Sequence, residues 1–80
     1  MPKVFKVLSG KEVVEVLEIC GFSFKSQTGS HIKMSIKNGD LETIVIVPNH
    51  RELREGTMRS VRKQASQTVA VELLDKYFKN

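Results

Sequence analysis

His31 is the residue in this chain whose type and setting say most about chemistry. It follows Thr28-Gly29-Ser30, a composition that marks a turn, and opens the run His31 to Lys37, in which polar and apolar residues alternate. Strand periodicity puts Ile32, Met34 and Ile36 on one face and His31, Lys33, Ser35 and Lys37 on the other. An imidazole titrates at about 6.5, so it takes up and gives up protons near neutral pH. Lysines beside it attract a phosphate and stabilise charge developing on it. Those two parts suffice to cleave RNA without a metal, because the ribose 2′-hydroxyl is an internal nucleophile. The reaction needs a base for the hydroxyl proton, an acid for the leaving oxygen and cations around the phosphate. DNA lacks the hydroxyl and is excluded as a substrate. The plainer reading of His31 is a polar residue on a solvated strand face.

His50, in Pro48-Asn49-His50, is a second candidate for contact with RNA, against ordinary solvation in a loop. Arg59, Arg62 and Lys63 share one side of a helical segment, where they either grip phosphates or are simply solvated. Cys20, His31 and His50 fit no zinc-ligand spacing. Cys20 falls on an apolar helical stripe and reads as core. Neither a metal nor another cofactor is implied.

Several elements must position these residues. Ser9-Gly10-Lys11-Glu12 has the form of a capping box, with Ser9 as N-cap. Val13, Val16, Leu17 and Cys20 then form a stripe opposite Lys11, Glu12, Glu15 and Glu18, and Gly21 sits where a helix stops, so a helix is expected at about 9–20. Three strands follow, at Phe22 to Gln27, His31 to Lys37 and Leu41 to Val47. Asn38-Gly39 is the hairpin signal between the last two. The third strand is nearly all apolar at its end, which puts it mid-sheet or beneath a helix, and Pro48 stops it. After a polar loop, Thr57 is expected to cap a second helix with a stripe of Met58, Val61 and Ala65. Ser66 to Thr68 break that helix. Ala70, Leu73, Leu74, Tyr77 and Phe78 carry a third, with its stripe in the core. The order α-β-β-β-α-α implies an α+β fold, a three-stranded antiparallel sheet with helices on one face.

Composition bounds the rest. Eighty residues allow one small domain spanning 1–80. No apolar run approaches the roughly 20 residues of a membrane span. Lys3 and Lys6 interrupt the opening segment, so no secretory signal is expected. One cysteine cannot form an internal disulfide, and cytoplasmic residence is the default. The net charge is +4, from 13 basic and 9 acidic residues. Residues 48–67 hold +3 of it and residues 21–47 another +1, and that clustering points to an anionic partner more firmly than the total does.

Four segments in order resemble a known family: Leu8-Ser9-Gly10-Lys11-Glu12-Val13, then Gly21-Phe22, then Gly29-Ser30-His31, then Val47-Pro48-Asn49-His50 leading to Glu55-Gly56-Thr57-Met58-Arg59-Ser60-Val61. Their spacing is similar to that of the HicA, or YcfA-like, toxins over about residues 8–66. The third helix, at 68–80, lies beyond the resemblance. The resemblance implies a fold like the double-stranded-RNA-binding domain. It also implies a metal-independent endoribonuclease that cleaves messenger RNA and is neutralised by a HicB-like antitoxin protein, with no membrane partner and no DNA partner of its own. It puts the catalytic histidine at His31 and has Gly56, Thr57 and Ser60 start the second helix. Where the family often carries basic residues this chain has Ser26 and Thr28, and Lys25, Lys33 and Lys37 stand as replacements. Met34 takes the place of a frequent aromatic, and Ser66 that of a frequent glycine. The expected RNA contacts are thus Lys25, Gly29, Ser30, Lys33, Lys37, His50, Arg59, Arg62 and Lys63.

Two other functions compete with this one. A non-catalytic RNA-binding module would grip RNA through the basic face and leave it intact. A protein-interaction domain would need neither His31 nor the basic residues.

Overall fold

A computed structural model of the protein describes residues 4–80; Lys3, one of the two lysines read against a secretory signal, lies outside them. Helix α1 (Gly10–Ile19) starts as its capping box requires. The Ser9 hydroxyl accepts from the Glu12 amide at 3.1 Å, and the Glu12 carboxylate accepts from the Ser9 amide at 2.9 Å. Gly21, with φ +104°, turns the chain out of the helix. Val13 and Leu17 are buried. Cys20, expected in the core, sits at its margin, because it is the C-cap, where the helix ends and the chain turns away.

Strands β1 (Ser23–Thr28), β2 (His31–Asn38) and β3 (Leu41–Pro48) form an antiparallel sheet in the order β1-β2-β3. Phe22, expected to open β1, precedes it as a buried core residue, its amide donating to Leu17. Both hairpins turn on two residues, Gly29-Ser30 and Gly39-Asp40, with φ of +58° and +66° at the glycines. Glycine at the first central position suits a type II′ turn. The second turn therefore lies one residue later than Asn38-Gly39, and Asn38 pairs with Leu41.

The sheet order places β2, not β3, in the middle. β3 is an edge strand lying under helix α2 (Glu55–Ala65). The Gln64 side chain accepts from the Ile46 amide at 2.9 Å, and Thr43 and Thr68 share a hydrogen bond of 2.6 Å, so that edge is covered. α2 begins two residues before the expected cap at Thr57, with Arg54 as N-cap and no side-chain cap. Leu53 explains the shift. It is buried, and its amide donates to the Leu8 carbonyl at 2.8 Å, which fixes where the chain enters the helix.

Helix α3 (Val71–Phe78) closes the core with Leu74 and Phe78. The rest of its expected stripe is less buried. Leu73 is 40% exposed, Ala70 is exposed and Tyr77 is half-buried, since so short a helix docks through two positions. The Arg62 guanidinium donates twice to Asp75, at 2.6 and 2.8 Å, and ties α3 to α2. The core runs from α1 through Ile32, Met34, Val45 and Val47 to Met58, Val61 and Ala65. Among the described residues the three helices lie on that side of the sheet and leave the opposite face bare. Among the described residues no helix is long and apolar enough to cross a membrane.

Candidate active site

The bare face carries the candidate residues of β2. On β2, Ile32 and Met34 are buried while His31, Lys33 and Lys37 are exposed, so the alternation read from sequence holds in the fold. His31 stands where β2 leaves the Gly29-Ser30 turn. Its backbone is paired on both sides, with Thr28 of β1 and Pro48 of β3. That double pairing fixes its place while its side chain remains open to solvent.

Lys33 lies two residues further along the same face, about 7 Å away. Lys37 stands at the far end, about 20 Å from His31 by strand rise. Neither has an ion-pair partner among the described residues. Lys25 differs. A bulge in β1 between Phe24 and Ser26 brings its ammonium over the sheet, where it binds both oxygens of Glu42 at 2.9 Å. Ser35 donates to the same carboxylate at 2.6 Å. The Ser35 hydrogen bond, and then Lys25, hold Glu42 below its ordinary pKa. Lys25 therefore has its charge largely matched; Lys37, opposite Glu42 in the β2–β3 register, also acts on that carboxylate, whereas Lys33 pairs with Ile46.

Three sequence motifs meet at the His31 end. The Asn49 amide donates to the Ser30 carbonyl at 2.6 Å, extending the β2–β3 ladder past Pro48. The Gly10 amide donates to the His50 carbonyl at 2.9 Å. Gly10 has no room for a side chain: a Cβ there would collide with the Pro48 carbonyl oxygen and stand 2.9 Å from the Asn49 Cα. The start of α1, the Gly-Ser-His turn and the Pro-Asn-His segment are thus one packed unit, with His31 and His50 both exposed at its surface. The fourth motif, at the start of α2, joins through the Leu8–Leu53 hydrogen bond.

The basic residues of α2 lie elsewhere. α2 packs behind the sheet through Met58, Val61 and Ala65, so Arg59, Arg62 and Lys63 do not share the face of His31. Arg59 pairs with Glu55 at 3.0 Å, and Lys63 is exposed with no ion pair among the described residues. Arg62 is tied to Asp75, whose hydrogen bonds raise the guanidinium above its already high ordinary pKa. Arg51 and Arg54 belong to the basic segment 48–67, and Lys11 joins them from the start of α1. They are exposed, unpaired among the described residues, and next in sequence to the groups that converge on His50 and Leu53. Only the ordered recurrence of the motifs hinted that these segments meet, and no local pattern carries that information. Among the described residues no group of three His, Cys, Asp or Glu side chains is placed to hold a metal ion.

Comparison with known proteins places the chain. The family model described as the HicA toxin of bacterial toxin-antitoxin systems matches residues 10–66. That span begins at the first residue of α1 and ends one residue past α2, leaving α3 outside it. No curated protein and no solved structure gives a significant match.

Proposed function

The chain belongs to the HicA toxin family of bacterial toxin–antitoxin systems, and from that premise we propose that it is an endoribonuclease that cleaves messenger RNA without a metal ion. The observation that carries this reading is the setting of His31. It is an exposed imidazole, its backbone pinned on both sides, at the end of a bare sheet face on which Lys33 and Lys37 have no ion pair among the described residues. RNA lies along that face with the reacting phosphate between His31 and Lys33 and a phosphate further along the strand on Lys37. His31 exchanges a proton with the reacting ribose phosphate, and Lys33 stabilises the charge that builds on the phosphoryl oxygens. Gly29 and Ser30 allow close approach, because the tight turn carries no large side chain there. A HicB-like antitoxin is the neutralising partner.

The chemistry has a signature. Attack by the 2′-hydroxyl leaves a 2′,3′-cyclic phosphate on one fragment and a 5′-hydroxyl on the other. An RNA carrying a single 2′-deoxy substitution at the cleavage position is expected to resist cleavage there and still bind. Cleavage of that substituted RNA at the same bond would reject the mechanism.

A further inference from the structure

The reaction just proposed needs two proton transfers, and His31 performs one of them. The described residues hold one other imidazole, His50, and the fold brings it to the same end of the sheet. His31 is the β2 partner of Pro48, so their Cα atoms lie about 5 Å apart. His50 is two residues beyond Pro48, at most about 7 Å more of chain. The ladder continues past Pro48 through the Asn49–Ser30 hydrogen bond. His50 is exposed, and this contact past Pro48 keeps its backbone beside the Gly29-Ser30 turn from which His31 opens β2. Asn49, between Pro48 and His50, is half-buried against the α1 side.

His50 is also held firmly. Its carbonyl accepts from the Gly10 amide, and the contact of Gly10 with the Pro48 and Asn49 backbone leaves no space for a methyl group. Lys11 and Arg51 flank this junction and are free to hold the phosphate of the departing nucleotide.

Resting on the ribonuclease reading above, we propose that His50 is a second catalytic residue, the general acid that protonates the leaving 5′-oxygen. The neutral His31 imidazole takes the proton from the ribose 2′-hydroxyl as its oxygen bonds to phosphorus. The bond from phosphorus to the 5′-oxygen breaks, and the His50 imidazolium gives that oxygen a proton. The products are a 2′,3′-cyclic phosphate and a 5′-hydroxyl, with one proton gained at His31 and one lost at His50. Exchange with water restores both.

A substrate that does not need the acid tests this directly. Wild type, His31→Ala, His50→Ala and His50→Gln are assayed on an RNA oligonucleotide and on a uridine 3′-(4-nitrophenyl phosphate), whose leaving group departs as a stable anion. General acid catalysis contributes about 10²- to 10⁴-fold. Both His50 variants are expected to lose that much on RNA, to bind RNA as wild type does, and to stay within a few-fold of wild type on the nitrophenyl ester. His31→Ala is expected to be slow on both. The proposal is overturned if the His50 variants cleave RNA at the wild-type rate, or if they lose equally on the two substrates. A wild-type protein that cleaves neither substrate overturns the ribonuclease reading itself, an outcome distinct from a failure at His50 alone.

Discussion

Replacing Gly10 with alanine sets two physical effects against each other, and their signs differ. Alanine inside a helix is favoured over glycine by about 0.5–1 kcal/mol, so propensity alone predicts a more stable protein. The structure predicts the reverse. The new methyl group collides with the Pro48 carbonyl oxygen and lies 2.9 and 3.1 Å from the Asn49 Cα and the Pro48 carbonyl carbon. All three are backbone atoms of a paired strand end, so no rotamer change relieves the contact. Overpacking of this kind costs about 1–3 kcal/mol. Pushing the helix away also loses the hydrogen bond from the Gly10 amide to the His50 carbonyl, worth about 1 kcal/mol. The net is a loss of about 2 kcal/mol, a large share of the stability of so small a fold. At about 4–8 °C per kcal/mol for a domain of this size, the melting temperature falls by about 8–16 °C. Urea unfolding followed by circular dichroism measures it, with the slope unchanged and the midpoint lowered. An unchanged or raised midpoint would show that α1 is not docked on the end of β3 as described.

Other perturbations separate the roles of individual side chains. Lys33→Ala is expected to weaken RNA binding and to reduce the slope of log affinity against log salt by about 0.7, one phosphate contact on a single strand. Arg62→Ala is expected to leave that slope unchanged and to destabilise the fold by about 1 kcal/mol through loss of its paired hydrogen bonds to Asp75; a changed slope with unchanged stability would reverse the assignment. Glu42 has a folded-state pKa below its ordinary 4.5, set first by the Ser35 hydrogen bond and then by Lys25. Its contribution to stability is therefore complete above that ordinary value and fades as pH falls through the lower folded value. Glu42→Gln should accordingly differ most from wild type in melting temperature near neutrality, and the difference should shrink in acid; a constant difference across pH would contradict it. Burial raises the Cys20 thiol pKa, so alkylation by iodoacetamide at pH 8 should be slower in the folded protein than in urea, and equal rates would place the thiol in solvent.

What could be read from the residues follows how local each signal is. The capping box of Ser9 and Glu12 needs only four consecutive residues, and it forms as written. The alternation from His31 to Lys37 needs only one strand, and it gave the bare face and its histidine. The start of α2 lies two residues before Thr57 because the polar cue there is weaker than the anchoring of Leu53 by Leu8, a contact across 45 residues of chain. On the basic side of α2, Glu55 stands four residues before Arg59 and dilutes the patch locally, whereas Asp75 reaches Arg62 from another helix and no local pattern shows it. Likewise Lys25 finds Glu42 only because the sheet brings β1 and β3 to the two sides of β2. The junction of Gly10, Ser30, Asn49 and His50 is long-range throughout, so its members were visible as motifs but their meeting was not.

The central claim is that His31 cleaves RNA without a metal ion. Purified wild-type protein and His31→Ala, incubated with RNA in excess EDTA, test it most directly. The account predicts cleavage by wild type, and a loss of about 10²- to 10⁴-fold in the variant with RNA binding retained. Intact RNA with the wild-type protein, or equal cleavage by the two, would contradict it.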